Sequence, residues 1–399
     1  MQISMKKTIL FMVINMNVGG TEKALLNMIE QMSTDDYDIT ILMLEEYGGF
    51  LNQVPLNVKI QYVDQYENLS NTLNLSPKTV VKKMIREGNI IKGISLLSVY
   101  LISKLTSNKN YYFHYITKNV SKIKNEYDIA VAYAGPMDFI SFFVAHKMNA
   151  KRRIQWIHFD VEKNGIDKVY AKKIYRNFDK IHVVSEEAKR KLIHVVPSIK
   201  NKTSVLLNVI SPEQILKQSK IGIGFNDHFT GIRILTVGRL SIEKGQDMAI
   251  KVLARLVKEG HNIRWYCVGE GSARNEYERL ITENNLENHF YLLGSDSNPY
   301  PYMEQCDLYV QTSRHEGYCI TLTEAKCFNK PIVTTNFTGA SEQIIHGHTG
   351  LIVNVDEIEL YEAIKIVLTD KNLQENLMHN LYNENELSRK GKDTTLVNW

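Results

Sequence analysis

The sequence predicts an α/β chain of two doubly wound, Rossmann-like domains facing each other across a cleft. Three observations carry this. Short apolar runs of strand length alternate with stretches of helical periodicity, the pattern of parallel sheets with crossover helices. The alternation occurs in two blocks, separated by the polar, Gly-containing stretch "SPEQILKQSKIGIGFNDHFTG" (211–231). The 399 residues and 44% hydrophobic content suffice for two sizeable cores and exclude global disorder.

In the first block Thr8–Asn15 reads as a buried strand and "NVGG" breaks it. Thr21–Met32 is a predicted helix with Ala24, Leu25, Met28, Ile29 and Met32 on one face. Tyr37–Leu44, Tyr127–Gly135, Arg152–Phe159 and Lys180–Ser185 follow as strands, and Ser185–Ile193 as a helix with Ser185 at its N-cap and acids in its first turn. In the second block "IRILTVG", "IRWYCVG", "HFYLLG", "DLYVQTS" and "PIVTT" are strands. "QDMAIKVLARLVKEG", "SARNEYERLITENN" and Ile320–Phe328 are helices, the last ended by Asn329 and Pro331. The expected division is a first domain over 1–210, a linker over 211–231, a second domain over 232–380, and a final helix over 381–399 packing back on the first domain.

Composition narrows the function. A net charge of +4 is too small to indicate nucleic acid. The four cysteines, Cys267, Cys306, Cys319 and Cys327, include no C-x-x-C pair, which argues against a zinc site and a disulfide framework and fits a reducing compartment. The N-terminus "MQISMKKTILFMVINMNVGG" lacks a small-x-small cleavage site and runs straight into a helix, so it is not read as a signal peptide. Without an apolar run long enough to span a bilayer, the expected location is cytoplasmic. Residues 78–124 stand apart: ten Lys or Arg accompany the single acid Glu87, with Tyr, Phe, Leu and Ile interleaved. That pattern suits an anionic membrane surface, hence peripheral attachment to the inner face of the cell membrane, as well as it suits a solvated helical face.

Several residues can carry chemistry. "NVGGTEK" places Gly19 and Gly20 between a strand and a helix start, where free amides favour an anion, although on this evidence alone a tight strand-to-helix turn is the better account. "VGRLSIEKGQD" sets Gly238, Arg239 and Lys244 at the C-terminal end of the second block's first strand, where open α/β sheets bind ligands. Arg grips two oxygens at once and Lys supplies a point charge, a pairing suited to a diphosphate. In "SRHEGYCITLTEAKCFNKPIVTT", Glu316 follows a strand and Glu324 lies inside the next helix, with seven residues between them. Carboxylates accept hydroxyl hydrogen bonds, so one acid suits a sugar ring and the other a ribose, with phosphate at the helix start between. His158 in "QWIHFD" ends another strand, and Asp160 beside it is a weaker candidate.

These motifs resemble the GT-B glycosyltransferases of glycosyltransferase family four, through "GGTEKALLNMI", "WIHFD", "VGRLSIEKGQD", "VGEGSARNEYERLI" and the E-x(7)-E pair at Glu316 and Glu324. The resemblance implies a retaining, metal-independent, cofactor-free transferase that moves a hexose-type sugar from a nucleotide diphosphate sugar, a UDP-sugar in the common case. The acceptor would be a glycan or lipid-linked hydroxyl, as in surface polysaccharide or glycolipid synthesis. It further implies Arg239 and Lys244 on the diphosphate, Glu316 on the transferred sugar, Glu324 on the ribose, Gly20 near the distal phosphate and His158 near the reacting carbon. Gly19, Gly238, Gly317, Tyr318, Cys319 and Ile320 complete the implied donor site. Two positions depart from the family pattern: Cys319 and Asn329 stand where glycine is usual. A non-catalytic partner subunit and a sugar-nucleotide epimerase of the same fold are the alternatives.

Overall fold

The computed structural model of the chain describes residues 6–64, 66–135, 137–163 and 165–390. It divides into two units, one holding residues 6–17 and 32–206, the other 18–31 and 207–390.

The first unit is built on seven parallel strands: β1 (Lys7–Val13), β2 (Tyr37–Met43), β3 (Lys59–Tyr62), β4 (Glu126–Gly135), β5 (Asn149–Ile157), β6 (Lys180–Val183) and β7 (Thr203–Val205). Their order is β3-β2-β1-β4-β5-β6-β7. The second has six parallel strands: β8 (Ile232–Val237), β9 (Ile263–Val268), β10 (Phe290–Gly294), β11 (Leu308–Gln311), β12 (Ile332–Thr335) and β13 (Leu351–Val353), in the order β10-β9-β8-β11-β12-β13. Helices cover both faces, so the central strands are apolar without alternation: Ile9 to Val13 of β1 are wholly buried. Each sheet reverses its winding beside its first strand, at β1/β4 and at β8/β11, and such switch points are where open sheets bind ligands.

The predicted strands and helices are present, with ends shifted by a few residues. Ser185 caps its helix through a hydrogen bond from the Ala188 amide to Oγ, 3.0 Å long. The edge strands β3, β7 and β13 escaped the sequence reading. Each is three or four residues long, and pairing with a neighbour rather than local pattern makes it a strand.

Three segments differ from expectation. Residues 211–231 are not a free connector. Helix Pro212–Gln218 buries Ile215 in the second core, and Asp227 accepts from Arg233 Nη2 and Arg264 Nη1 at 2.8 Å each and from the Tyr266 hydroxyl. Burial opposes ionisation of Asp227, but those donors outweigh it and hold its carboxyl down at about 2. Helix Gly20–Gln31, placed by sequence order with the first domain, groups with the second unit, where Asn27 Nδ2 donates to Val209 O at 3.2 Å. The final helix runs Lys371–Lys390, and at its 381–385 end it belongs to the second unit. Leu381 is buried there, Lys326 Nζ meets Glu384 at 2.7 Å and Asn385 Nδ2 donates to Lys326 O at 2.8 Å. Residues 391–399 of that expectation lie outside the described residues.

The basic stretch folds into helices Pro77–Arg86, Ile90–Leu105 and Asn110–Ile116, whose Val80, Val81, Leu96, Tyr112 and Phe113 join the first unit's core. The far side of Ile90–Leu105 is apolar too: Ile90, Ile91, Ile94, Leu101, Ile102 and Leu105 are exposed, Ile91 and Leu105 at 85% each. At helical spacing these six fall within an arc of about 120°. Among the described residues no helix is long and apolar enough to cross a membrane. The end of this region is tied down by buried Lys147, whose Nζ donates to Thr117 O at 2.7 Å and Val120 O at 3.0 Å. Replacing it by methionine keeps the bulk and removes both bonds, so Lys147→Met should lower unfolding free energy by about 1–3 kcal/mol in urea titration, with loss of protection of the 117–120 amides in hydrogen exchange.

Candidate active site

In the second unit, the loops after β8 and β11 are folded onto each other. After β8 come Gly238, Arg239 and Leu240, then a single 3-10 turn, Ile242–Lys244, and helix Gln246–Lys258. Gly245 joins the turn to the helix with φ 70°, and a Cβ there would lie 2.2 Å from Thr312 O, in the other loop. Only glycine permits both the left-handed backbone and that approach. Gly269, after β9, has φ 154° and passes so close to Gly238 that a Cβ would sit 2.0 Å from its carbonyl oxygen. Gln246 Nε2 donates to Arg239 O at 2.9 Å and Thr312 Oγ1 to Lys244 O at 2.7 Å, which holds the backbone beneath both cations.

Arg314 fastens the second loop to the first. It makes a two-pronged pair with Asp247, at 2.7 and 2.6 Å, donates from Nη1 to Ile242 O at 2.8 Å, and its amide donates to Glu243 O at 2.7 Å. The brace brings Lys244 and Glu316, 72 residues apart, into contact: Nζ lies 2.5 Å from Oε1, with the side chains 17% and 12% exposed. Burial alone would depress the Lys244 ammonium, but the Glu316 carboxylate outweighs it and holds the group above its ordinary value. The lysine stem packs on Gly238, where a Cβ would be 3.6 Å from Lys244 Cδ.

Glu324 lies in helix Ile320–Lys326, two residues shorter than expected, and is 2% exposed. Burial raises its pKa to about 7, against the restraining effect of the Tyr300 hydroxyl, which donates to Oε1 at 2.8 Å, and of Lys23. Lys23 itself sits 5.7 Å from the Tyr300 ring centre. Gly20 begins helix Gly20–Gln31 beside Ile320, whose Cγ2 would be 3.2 Å from a Cβ at that position. A Cβ at Gly19 would collide with Glu22 Oε2 at 2.5 Å. Glu22 is a further, half-buried acid. Burial raises it to about 6, while its own amide and the Arg239 charge pull it down.

Gly317, Tyr318 and Cys319 form the turn between Glu316 and the helix. Cys319, in place of the usual glycine, has φ −78°, which any residue adopts, and burial pushes its thiol up to about 12. Asn329 takes the left-handed conformation expected of it, with φ 53°.

His158 and Asp160 belong to the first unit. His158 is buried beyond the end of β5, its ring 4.5 Å from Tyr133 and stacked on Trp156 at 6.0 Å. Burial lowers its pKa to about 3, and its Nε2 has no hydrogen-bond partner. It is therefore a neutral ring at ordinary pH. Asp160 pairs with Lys191 at 2.7 Å and accepts the Glu162 amide at 2.9 Å, a structural engagement.

Of the residues singled out in the sequence, Gly19, Gly20, Gly238, Arg239, Lys244, Glu316 and Glu324 all fall in the second unit, and His158 in the first. The sequence reading missed Tyr300, Glu22 and the Arg314–Asp247 brace. The two glycines of "VGEGS" after β9 were the available signal for the close packing under Gly238, since Gly271 meets Leu240 O in the same way.

With the geometry in hand, comparison with known proteins is specific. Residues 228–384 match the family described as glycosyl transferases group 1. A 4-alpha-N-acetylgalactosaminyltransferase of Campylobacter jejuni, named for a diacetylbacillosaminyl-diphospho-undecaprenol acceptor, is 34% identical over 43% of this chain and 46% of its own length. The capsular polysaccharide biosynthesis glycosyltransferase CapM of Staphylococcus aureus is 28% identical over 50% of this chain and 55% of its own. The chain thus spans about half the length of these relatives. The crystal structure of Anabaena HepE with UDP and glucose superposes over 96% of this chain and 94% of its own with a TM-score of 0.66 at 18% identity, a likeness of fold. Residues 228–384 thus resemble the glycosyl transferases group 1, and the chain has the GT-B fold of two parallel-sheet α/β units.

Proposed function

We propose that the chain is a retaining glycosyltransferase that moves a hexose-type sugar from a nucleotide diphosphate sugar to a hydroxyl of a glycan or lipid-linked acceptor. One observation carries the reading: Arg239 and the Lys244–Glu316 pair stand on braced loops at the β8/β11 switch point, with buried Glu324 in the following helix. Breaking the bond from the anomeric carbon to phosphate oxygen leaves charge on the diphosphate, and preorganised cations lower that barrier. Lys244 and Arg239 take the diphosphate, Glu316 the sugar hydroxyls and Glu324 the ribose. The acceptor oxygen bonds to the anomeric carbon, and its proton passes to a donor phosphate oxygen. This route needs neither a protein nucleophile nor a metal. His158, neutral and with a free Nε2, offers a hydrogen bond to the sugar. UDP is the favoured nucleotide because the HepE structures hold it, and a polyprenyl-diphosphate-linked or polysaccharide acceptor accords with the names of the Campylobacter and Staphylococcus relatives.

The first unit is the acceptor side in this reading. Its exposed isoleucine and leucine face on Ile90–Leu105, with Lys82, Lys83, Arg86, Lys92 and Lys104 on the same three-helix region and only one acid, suits an anionic lipid surface.

Three outcomes test the proposal. Arg239→Ala and Lys244→Ala should each lower turnover about 10²–10³-fold with labelled donor and acceptor, the loss typical of one charge-stabilising donor; near-normal turnover in both removes the diphosphate assignment, and epimerised free donor in the product separation replaces transfer. Glu324 keeps its proton in the folded chain up to about pH 7 but releases it near 4.5 when unfolded, so stability is greatest below 4.5 and falls as pH rises towards 7. Glu22 adds to this trend only up to about pH 6, so Glu324→Gln should flatten the part of the thermal-unfolding profile between about 6 and 7. Finally, liposomes containing phosphatidylglycerol should bind the protein, and Ile91→Ser with Leu105→Ser should weaken that binding about a hundredfold or more, the transfer value of two large apolar side chains; unchanged binding rejects the lipid reading of this helix.

A further inference from the structure

Glu316 has two carboxylate oxygens, and the structure treats them differently. Oε1 receives Lys244 Nζ at 2.5 Å and the Ser313 hydroxyl at 2.6 Å. Among the described residues no hydrogen bond reaches Oε2, which is not sealed from solvent either. Behind Ser313 lies a buried polar chain. Gln311 Nε2 is 2.8 Å from Ser313 Oγ, the Tyr309 hydroxyl is 2.8 Å from Gln311 Oε1, and Thr321 Oγ1 adds a longer contact to the same oxygen at 3.4 Å. Gln311 and Ser313 are 0% exposed and Tyr309 is 1% exposed.

The direction of every bond in this chain follows from its end. A carboxylate can only accept, so the Ser313 proton goes to Glu316. Ser313 Oγ must then accept, and its donor is the Gln311 amide nitrogen. That fixes the amide orientation and turns Gln311 Oε1 towards the Tyr309 hydroxyl, which donates. In a buried setting such aligned bonds strengthen one another, and none of the members has water as a substitute partner. The backbone is held as well: Thr335 Oγ1 donates to Ser313 O at 2.5 Å.

We propose that Ser313 and Gln311 are positioning residues that decide which oxygen of Glu316 meets the transferred sugar. By saturating Oε1 together with Lys244, they leave Oε2 as the acceptor for a sugar hydroxyl. They also stop Lys244 from drawing the carboxylate over to itself, so the ammonium keeps donors for the diphosphate. Neither residue touches the donor. The inference rests on the sugar-nucleotide reading above and adds to it a chain of command running from the sheet interior to the sugar.

The test separates the sugar's contribution from the nucleotide's. Affinities for UDP-glucose and for UDP, used as probes, are measured by calorimetry on the full chain. In the wild type the sugar should add affinity. Ser313→Ala should erase most of that increment, weakening UDP-glucose roughly tenfold, the value of one hydrogen bond to a charged group, while UDP binding stays within about twofold. Gln311→Glu reverses the chain: once ionised, the new carboxyl accepts from Ser313 and takes its proton away from Glu316. The sugar increment should then be present at low pH and fall as pH rises, a profile absent from the wild type. Far-ultraviolet circular dichroism and the retained UDP affinity certify that each variant is folded. A Ser313→Ala protein that keeps the full sugar increment overturns the positioning role. So does a Gln311→Glu protein whose increment is independent of pH. A wild type that binds neither probe defeats the donor reading itself, a separate result from either of these.

Discussion

The contact between Lys244 and Glu316 organises the second unit's working end. Two opposite charges at hydrogen-bond distance, mostly withdrawn from water, gain more from one another than an exposed pair would, but only if the geometry is held. The surrounding structure supplies that hold. Gly245 lets one loop lie against the other, the Arg314–Asp247 fork crosses between them, and Gln246 and Thr312 secure the carbonyls beneath the cations.

Around this contact the acids differ in state. Glu22 and Glu324 are raised by burial to about 6 and 7, whereas Lys244 stays firmly charged beside Glu316. Near neutrality the site therefore holds permanent positive charge next to acids that exchange protons with solvent. Glu324 sits under Tyr300, whose hydroxyl donates to its Oε1. In the first unit, His158 is a neutral ring between Tyr133 and Trp156, equipped to orient a partner rather than to carry a proton away.

The chain also shows how local sequence misplaces segments. The 211–231 stretch reads as a linker because it is polar and contains glycine, yet Ile215 and Asp227 fasten it to the second unit. Helix Gly20–Gln31 follows β1 in sequence but keeps company with residues almost two hundred positions later, through Asn27 and Val209. Nothing in the amphipathic pattern of that helix names the surface its apolar side will meet.

By itself the sequence determined the two parallel sheets, because strands buried on both faces must be continuous apolar runs, and it pointed to a candidate site, because the loops that follow such strands gather at one edge. Arg239, Lys244, Glu316 and Glu324 were legible for that reason, and Cys319 and Asn329 for the backbone angles they had to adopt. Tertiary structure alone decided which of these groups touch. The pairing of Lys244 with Glu316, the brace from Arg314 to Asp247 and the covering of Glu324 by Tyr300 join residues on different strands, loops or helices. Such contacts depend on strand order and loop closure, and no spacing along the chain encodes them.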